Sequence, residues 1–209
     1  SNLLGNQMGL TLDTVTRNEL QSGTNVTYCP KVAADGTETE VTSRSALDDT
    51  CQLTVKQIQK AVAKLRAQNA PPISGKYVAI IHPYAAYDLM RDKEWIDAHK
   101  YAQPENLYEG EIGEIAGVRF VQTTEAKIYE NGVFGTLIFG EGAYGNTEIA
   151  GGGMETIVKQ KGSAGTADPL DQRSSVGWKG QKTAEILVEQ YMVRIESKSK
   201  DFSTGLEEN

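Results

Sequence analysis

With 209 residues, 39% hydrophobic and 23% charged, the sequence is long enough for one large domain or two small ones around a real core, and too apolar for general disorder. Its net charge of −7 and pI near 5.0 exclude a protein that wraps nucleic acid through clustered Lys and Arg. No apolar run is long enough to cross a bilayer, and no basic stretch leads into an apolar segment at the front, where Ser1-Asn2 reads as a tag remnant.

Residues 10–20 read as a helix, with Leu10, Val15 and Leu20 apolar and Asp13, Arg17 and Glu19 outward. Residues 21–49, rich in Gly, Thr, Ser and Asp, read as an extended, partly exposed connection. Cys29 and Cys51 form no zinc-ligand spacing with the two separated histidines, and neither spacing nor compartment favours a disulfide, so both read as free thiols. Asn25-Val26-Thr27 is a glycosylation sequon without a secretory context.

Thr54 opens the clearest helix, its hydroxyl capping the first turn and Gln57 reaching back as a capping box. Val55, Ile58, Val62 and Leu65 form one apolar stripe, and Asn69 with Pro71-Pro72 ends it. Lys56, Lys60 and Lys64 line one side, either as a solvated face or as a strip for an acidic neighbour.

The apolar strand Tyr77-Val-Ala-Ile-Ile81 then runs through His82-Pro83 into a helix over residues 85–92. After a break at Pro104 the chain returns as Glu111-Ile-Gly-Glu-Ile115, turns at Ala116-Gly117 and continues as Val118-Arg-Phe-Val-Gln122. Strands are expected at residues 133–139 and 155–161. Ten of the 21 glycines fall between Gly140 and Gly180, which excludes a long helix there. Residues 184–197 read as one long buried strand, although the first half also fits a helix, and residues 201–209 as a frayed tail.

Three features look chemical. Gly140-Glu-Gly-Ala-Tyr-Gly145 is a literal G-x-G-x-x-G after a strand, but the mechanism needs a helix starting at its last glycine, and Gly151-Gly-Gly153 follows within a turn or two. His82 and Asp88 invite a pairing, yet no nucleophile in an elbow accompanies them, and His82 fits better as a cap at the strand end. Asp168 and Asp171 flank Pro169-Leu170 in a loop, where acids normally cap turns. No catalytic, cofactor-binding or metal-ligating residue is assigned.

The phrases Val78-Ala-Ile-Ile-His-Pro83, Tyr87-Asp-Leu89, Gly113-Glu-Ile-Ala-Gly-Val118, Asp168-Pro-Leu-Asp-Gln-Arg173 and Gly177-Trp178 resemble the major capsid proteins of tailed phages, specifically the coliphage N-four-like family, over roughly residues 10–195. The resemblance implies an α+β fold of the Hong Kong 97 type, and a structural subunit of an icosahedral shell in the virion, made in the bacterial cytoplasm. It implies peripheral elements in residues 1–53, a central domain in 54–150, returning peripheral strands in 151–200 and a tail in 201–209. Family members carry an N-terminal arm and an extended hairpin loop before the long helix; this chain is expected to begin near that helix and to lack both. The partners implied are copies of itself, with phage scaffold, portal or decoration proteins, and neither specific nucleic-acid binding nor a membrane. The alternatives are a small-ligand or nucleotide-binding α/β enzyme using the Gly140 to Gly145 turn, and a non-viral encapsulating shell protein of the same fold.

Overall fold

The computed structural model describes residues 2–102, 113–147, 152–163, 170, 172–202 and 206–209. A seven-stranded mixed sheet forms its centre, built from β1 (Val26–Tyr28), β4 (Tyr77–Ile81), β5 (Glu114–Ile115), β6 (Val118–Gln122), β7 (Ile128–Tyr129), β8 (Val133–Phe139) and β13 (Met192–Lys198). The order is β1-β13-β8-β4-β6-β5, with β7 pairing β8. Neighbours β1 and β13 run parallel, as do β4 and β6, while β13–β8 and β8–β4 are antiparallel. Three small ribbons lie off this sheet: β2 (Lys31–Val32) with β3 (Glu38–Thr39), β9 (Tyr144–Thr147) with β12 (Thr183–Ile186), and β10 (Glu155–Lys159) with β11 (Ser175–Lys179).

Helices α2 (Val55–Ala67), α3 (Pro83–Met90) and α4 (Lys93–Ala102) contribute to the main core. The expected stripe is buried: Ile58 and Leu65 lose all solvent contact and Val55 and Val62 nearly all. They pack in one cluster with Ala79 and Ile81 of β4, Phe134 and Ile138 of β8, and Val193 and Ile195 of β13. Asn69 ends α2 in the left-handed region (φ 56), and the Ala70 and Asn69 amides donate to the Leu65 and Arg66 carbonyls, a Schellman closure.

The expected capping box does not form. The Thr54 hydroxyl makes no cap bond, and Gln57 is buried. Instead the first amide of α2, on Val55, donates to Asp92 Oδ2 at 2.7 Å. The Gln57 amide that a capping-box hydroxyl would accept from bonds the Thr54 carbonyl at 3.1 Å instead, and the Asp92 carboxylate answers the Val55 amide that no cap at Thr54 would reach.

The first helix, α1 (Asn2–Leu20), is longer than the expected segment, and Leu10 and Val15 are exposed while Leu20 is buried. Steps of five residues rotate about 140° around a helix, so the three cannot share a face. Residues 155–161 hold a strand only to Lys159. The helix expected at 85–92 is α3, starting earlier at Pro83 and followed after Asp92 by α4.

The single strand expected over residues 184–197 is two. Strand β12 pairs with β9, the 3-10 turn Glu189–Tyr191 intervenes, and β13 enters the central sheet. The break is marked by Leu187 and Val188, whose amides both donate to the Ala143 carbonyl. The period-two pattern runs through because both pieces are extended.

The described part of the tail is docked, not frayed. Phe202 stacks on Tyr84 with centroids 4.2 Å apart, Leu206 packs against the core, and Asn209 Oδ1 accepts from the Ile128 amide at 2.9 Å.

Candidate assembly surface

His82 is the N-cap of α3: its Nδ1 accepts from the Tyr84 amide at 3.2 Å, and Pro83 takes the first helical position. Its ring stacks on Phe134 at 5.0 Å, and burial pushes its pKa down. The sequence placed this group correctly at the strand end. Asp88 lies elsewhere, in a cleft lined also by Asp92, Asp201, Arg91, Lys93 and Lys200. Burial pushes its carboxyl up to about 6, with Asp201 adding to the rise and Arg91 opposing it. Among the described residues no cluster of three His, Cys, Asp or Glu is arranged to hold a metal.

The Gly140 to Gly145 turn leads into a strand, not a helix. Two of its amides are already used: Gly140 donates to the Tyr191 carbonyl at 2.9 Å and Glu141 to the Pro71 carbonyl at 2.8 Å. A Cβ on Gly140 would sit 2.4 Å from the Pro71 oxygen, so this glycine permits a close crossing of two backbones. The turn therefore lacks the helix start that a dinucleotide fingerprint needs at its last glycine. Asp168 and Asp171 lie outside the described residues.

Lys56, from the expected basic strip, pairs with Glu38 at 2.6 Å, so part of that strip is spent within the chain.

Sequence reading missed a buried ionic cluster. Glu196 on β13 has no exposed surface; its Oε2 accepts from Arg44 Nε at 2.7 Å, and its Oε1 accepts from Arg44 Nη2 at 2.6 Å and Arg194 Nε at 3.0 Å. Arg44 also lies 3.6 Å above the centroid of the Tyr129 ring. Arg194 Nη1 donates to the Gln21 and Gly23 carbonyls, and Tyr129 OH donates to Gln21 Oε1 at 2.8 Å. The end of α1, the residue 21–53 connection, β7 and β13 are thereby tied at one point. The alternation Met192-Val-Arg-Ile-Glu196 held the signal, with charges where an apolar second face was expected.

Exposed apolar side chains are spread over the described surface, Val32, Val121 and Leu187 among them. Leu3, Leu10 and Val15 project from α1, and Val158 and Val176, cross-strand partners on the β10–β11 ribbon, are 60% and 47% exposed. A shallow groove between them is lined by Leu4, Gly5, Met8, Thr156, Val176 and Trp178.

A family model described as phage capsid protein matches residues 1–192. The chain belongs to the phage capsid protein family. Its fold is the Hong Kong 97-type capsid fold. A solved structure from Mycobacterium phage Che8 is similar at TM-score 0.63 and 14% identity, over 91% of this chain and 60% of that one. The capsid of cyanophage P-SCSP1u is similar at TM-score 0.67 and 14% identity, over 93% of this chain and 64% of that one. The SrpI encapsulin of Synechococcus elongatus shares the fold at TM-score 0.57 and 10% identity, over 99% of this chain and 67% of that one. The chain thus spans about 60–64% of the length of the first two phage proteins. No curated protein sequence matched it. Fold alone is common to phage capsids and encapsulins; the family match separates them. No helix among the described residues of this capsid-family chain is long and apolar enough to cross a membrane.

Proposed function

We propose that the chain is a major capsid subunit of a tailed bacteriophage or prophage, a structural protein without catalytic function that builds an icosahedral shell with copies of itself. The family match over residues 1–192 carries this reading. The exposed apolar surface on α1 and the β10–β11 ribbon supports it, since a shell subunit makes its contacts through surfaces rather than a cavity. The proposed location is the virion capsid after synthesis in the bacterial cytoplasm, and scaffold, portal and decoration proteins are the proposed further partners. The quoted sequence phrases support a place in the N-four-like group.

We keep the two-part layout, with residues 54–150 as the core of the central domain, 1–53 and 151–200 as mainly peripheral and 201–209 as a tail. Strand pairing supports counting β1 and β13 with the central domain. Electron microscopy of the product of the complete reading frame, expressed with the other head proteins of its phage, tests the proposal. Capsomers or closed shells are expected. A protein that stays monomeric across salt and concentration would sink it.

A further inference from the structure

We infer that Cys29 and Cys51 are a latent intramolecular disulfide, held as two thiols while the protein is made and closed by oxidation afterwards. Both are free, fully buried and in the same core cluster. The Cys29 amide donates to the Glu196 carbonyl at 3.0 Å, and the Cys51 carbonyl accepts from the Lys198 amide at 3.0 Å. A strand presents the carbonyl of one residue and the amide two residues on to the same side. The other edge of β13 is filled by β8 along its whole length, so both cysteines bond the edge that β1 occupies. Where β1 leaves that edge at Cys29, Cys51 takes it over. Consecutive positions on one edge set the two backbones side by side, as a disulfide with Cα atoms roughly 4.4–6.8 Å apart requires.

A second tie keeps the two stretches together. Lys31, two residues after Cys29, pairs with Asp48, three before Cys51, at 2.7 Å. Burial pushes both thiols up in pKa, and the proximity of Cys51 raises Cys29 further, which keeps the pair reduced and unreactive while the fold is closed. Access comes through the intervening segment. From 33 to 40 every residue is exposed, so this stretch opens at lower cost than the sheet and without breaking the Arg44–Glu196 pair. On closure two S–H bonds break and one S–S bond forms, while two protons and two electrons pass to the oxidant; with diamide its N=N bond is reduced to the hydrazine. The timing rests on the capsid reading, because a virion leaves a reducing cell for an oxidising medium. The pairing does not.

Treatment of the purified protein with diamide, followed by intact-mass measurement and non-reducing peptide mapping, tests the pairing. A loss of about 2 Da, a peptide joining Cys29 to Cys51 and a rise in Tm of roughly 5–10 °C that dithiothreitol reverses are expected. Cys51→Ala should show none of these changes. Two thiols still free after treatment, or disulfides only between molecules, would overturn the inference. For the timing, cells lysed into N-ethylmaleimide should yield the dithiol and released particles the disulfide; a bond already closed inside the cell overturns that part. Failure to form particles would count against the capsid reading and leave the mapped bond standing.

Discussion

Asp92 and Val55, 37 residues apart in sequence, are joined at 2.7 Å by a hydrogen bond from the first amide of α2 to a carboxylate oxygen. The other oxygen of Asp92 accepts from the Glu94 amide at 3.2 Å, so one side chain caps α4 and α2 together. Each helix start carries partial positive charge, and a single carboxylate answers both.

Asp92→Ala should therefore cost more than an ordinary cap, about 2 kcal/mol, and Thr54→Ala close to nothing. Urea denaturation of the two variants distinguishes this from a Thr54 capping box. Equal losses would show that the hydroxyl shares the work.

Removal of the Glu196 carboxylate leaves Arg44 and Arg194 facing each other without their common partner. Glu196→Leu should destabilise by roughly 3–5 kcal/mol, the usual cost of orphaning a buried charge. A triple replacement of all three by apolar residues should recover part of the loss, read as a higher Tm than the single variant.

Asp88 gives a pH dependence of definite sign. Its folded-state pKa, raised to about 6 from an ordinary 3.8, means that the folded protein holds a proton the unfolded chain releases. Stability from this group is full below about pH 4, falls as pH rises towards 6, and is level above. Asp88→Asn should gain about 1–2 kcal/mol at pH 7.5, allowing for solvent screening, and nothing at pH 4. A Tm difference independent of pH would show that Asp88 is not desolvated.

In the core, Leu65→Ala should lose about 2–5 kcal/mol, while exposed Lys60→Ala should change little. Matching thermal shifts would mean that α2 does not pack through this stripe.

The elements that sequence reading found were those marked by a local signal, whatever they pack against. The α2 stripe, the His82-Pro83 start of α3 and the Ala116-Gly117 turn (φ 55 and 78) all follow from short-range chemistry. The short hairpin from β7 into β8 was equally local and was missed: Asn131-Gly132, with φ of 62 and 69, is a strong turn dipeptide. What pattern could not give were the long-range choices. Nothing near Thr54 announces Asp92, and nothing in residues 21–53 announces that Arg44 will find Glu196 152 residues on. The extended run after Ala184 kept one alternation across two sheets, so periodicity had no means of marking the break at Leu187. At the candidate surface, the exposure of Leu3 and Val158 was invisible to a rule that sends apolar residues inward.

The position of β13 sets a clock on synthesis. Strand β1 has its whole pairing with β13, and β8 gives β13 its entire length, so the sheet stays open between β1 and β8 until residues 192–198 have been translated. A nascent chain can build α2, β4, α3 and β6 early, but β1 and one edge of β8 wait for β13, which follows every other strand of the sheet in sequence. Partly made chains therefore lack a finished sheet to bring to a neighbour. On the capsid reading proposed above, this order of strand arrival would hold copies apart until β13 is in place.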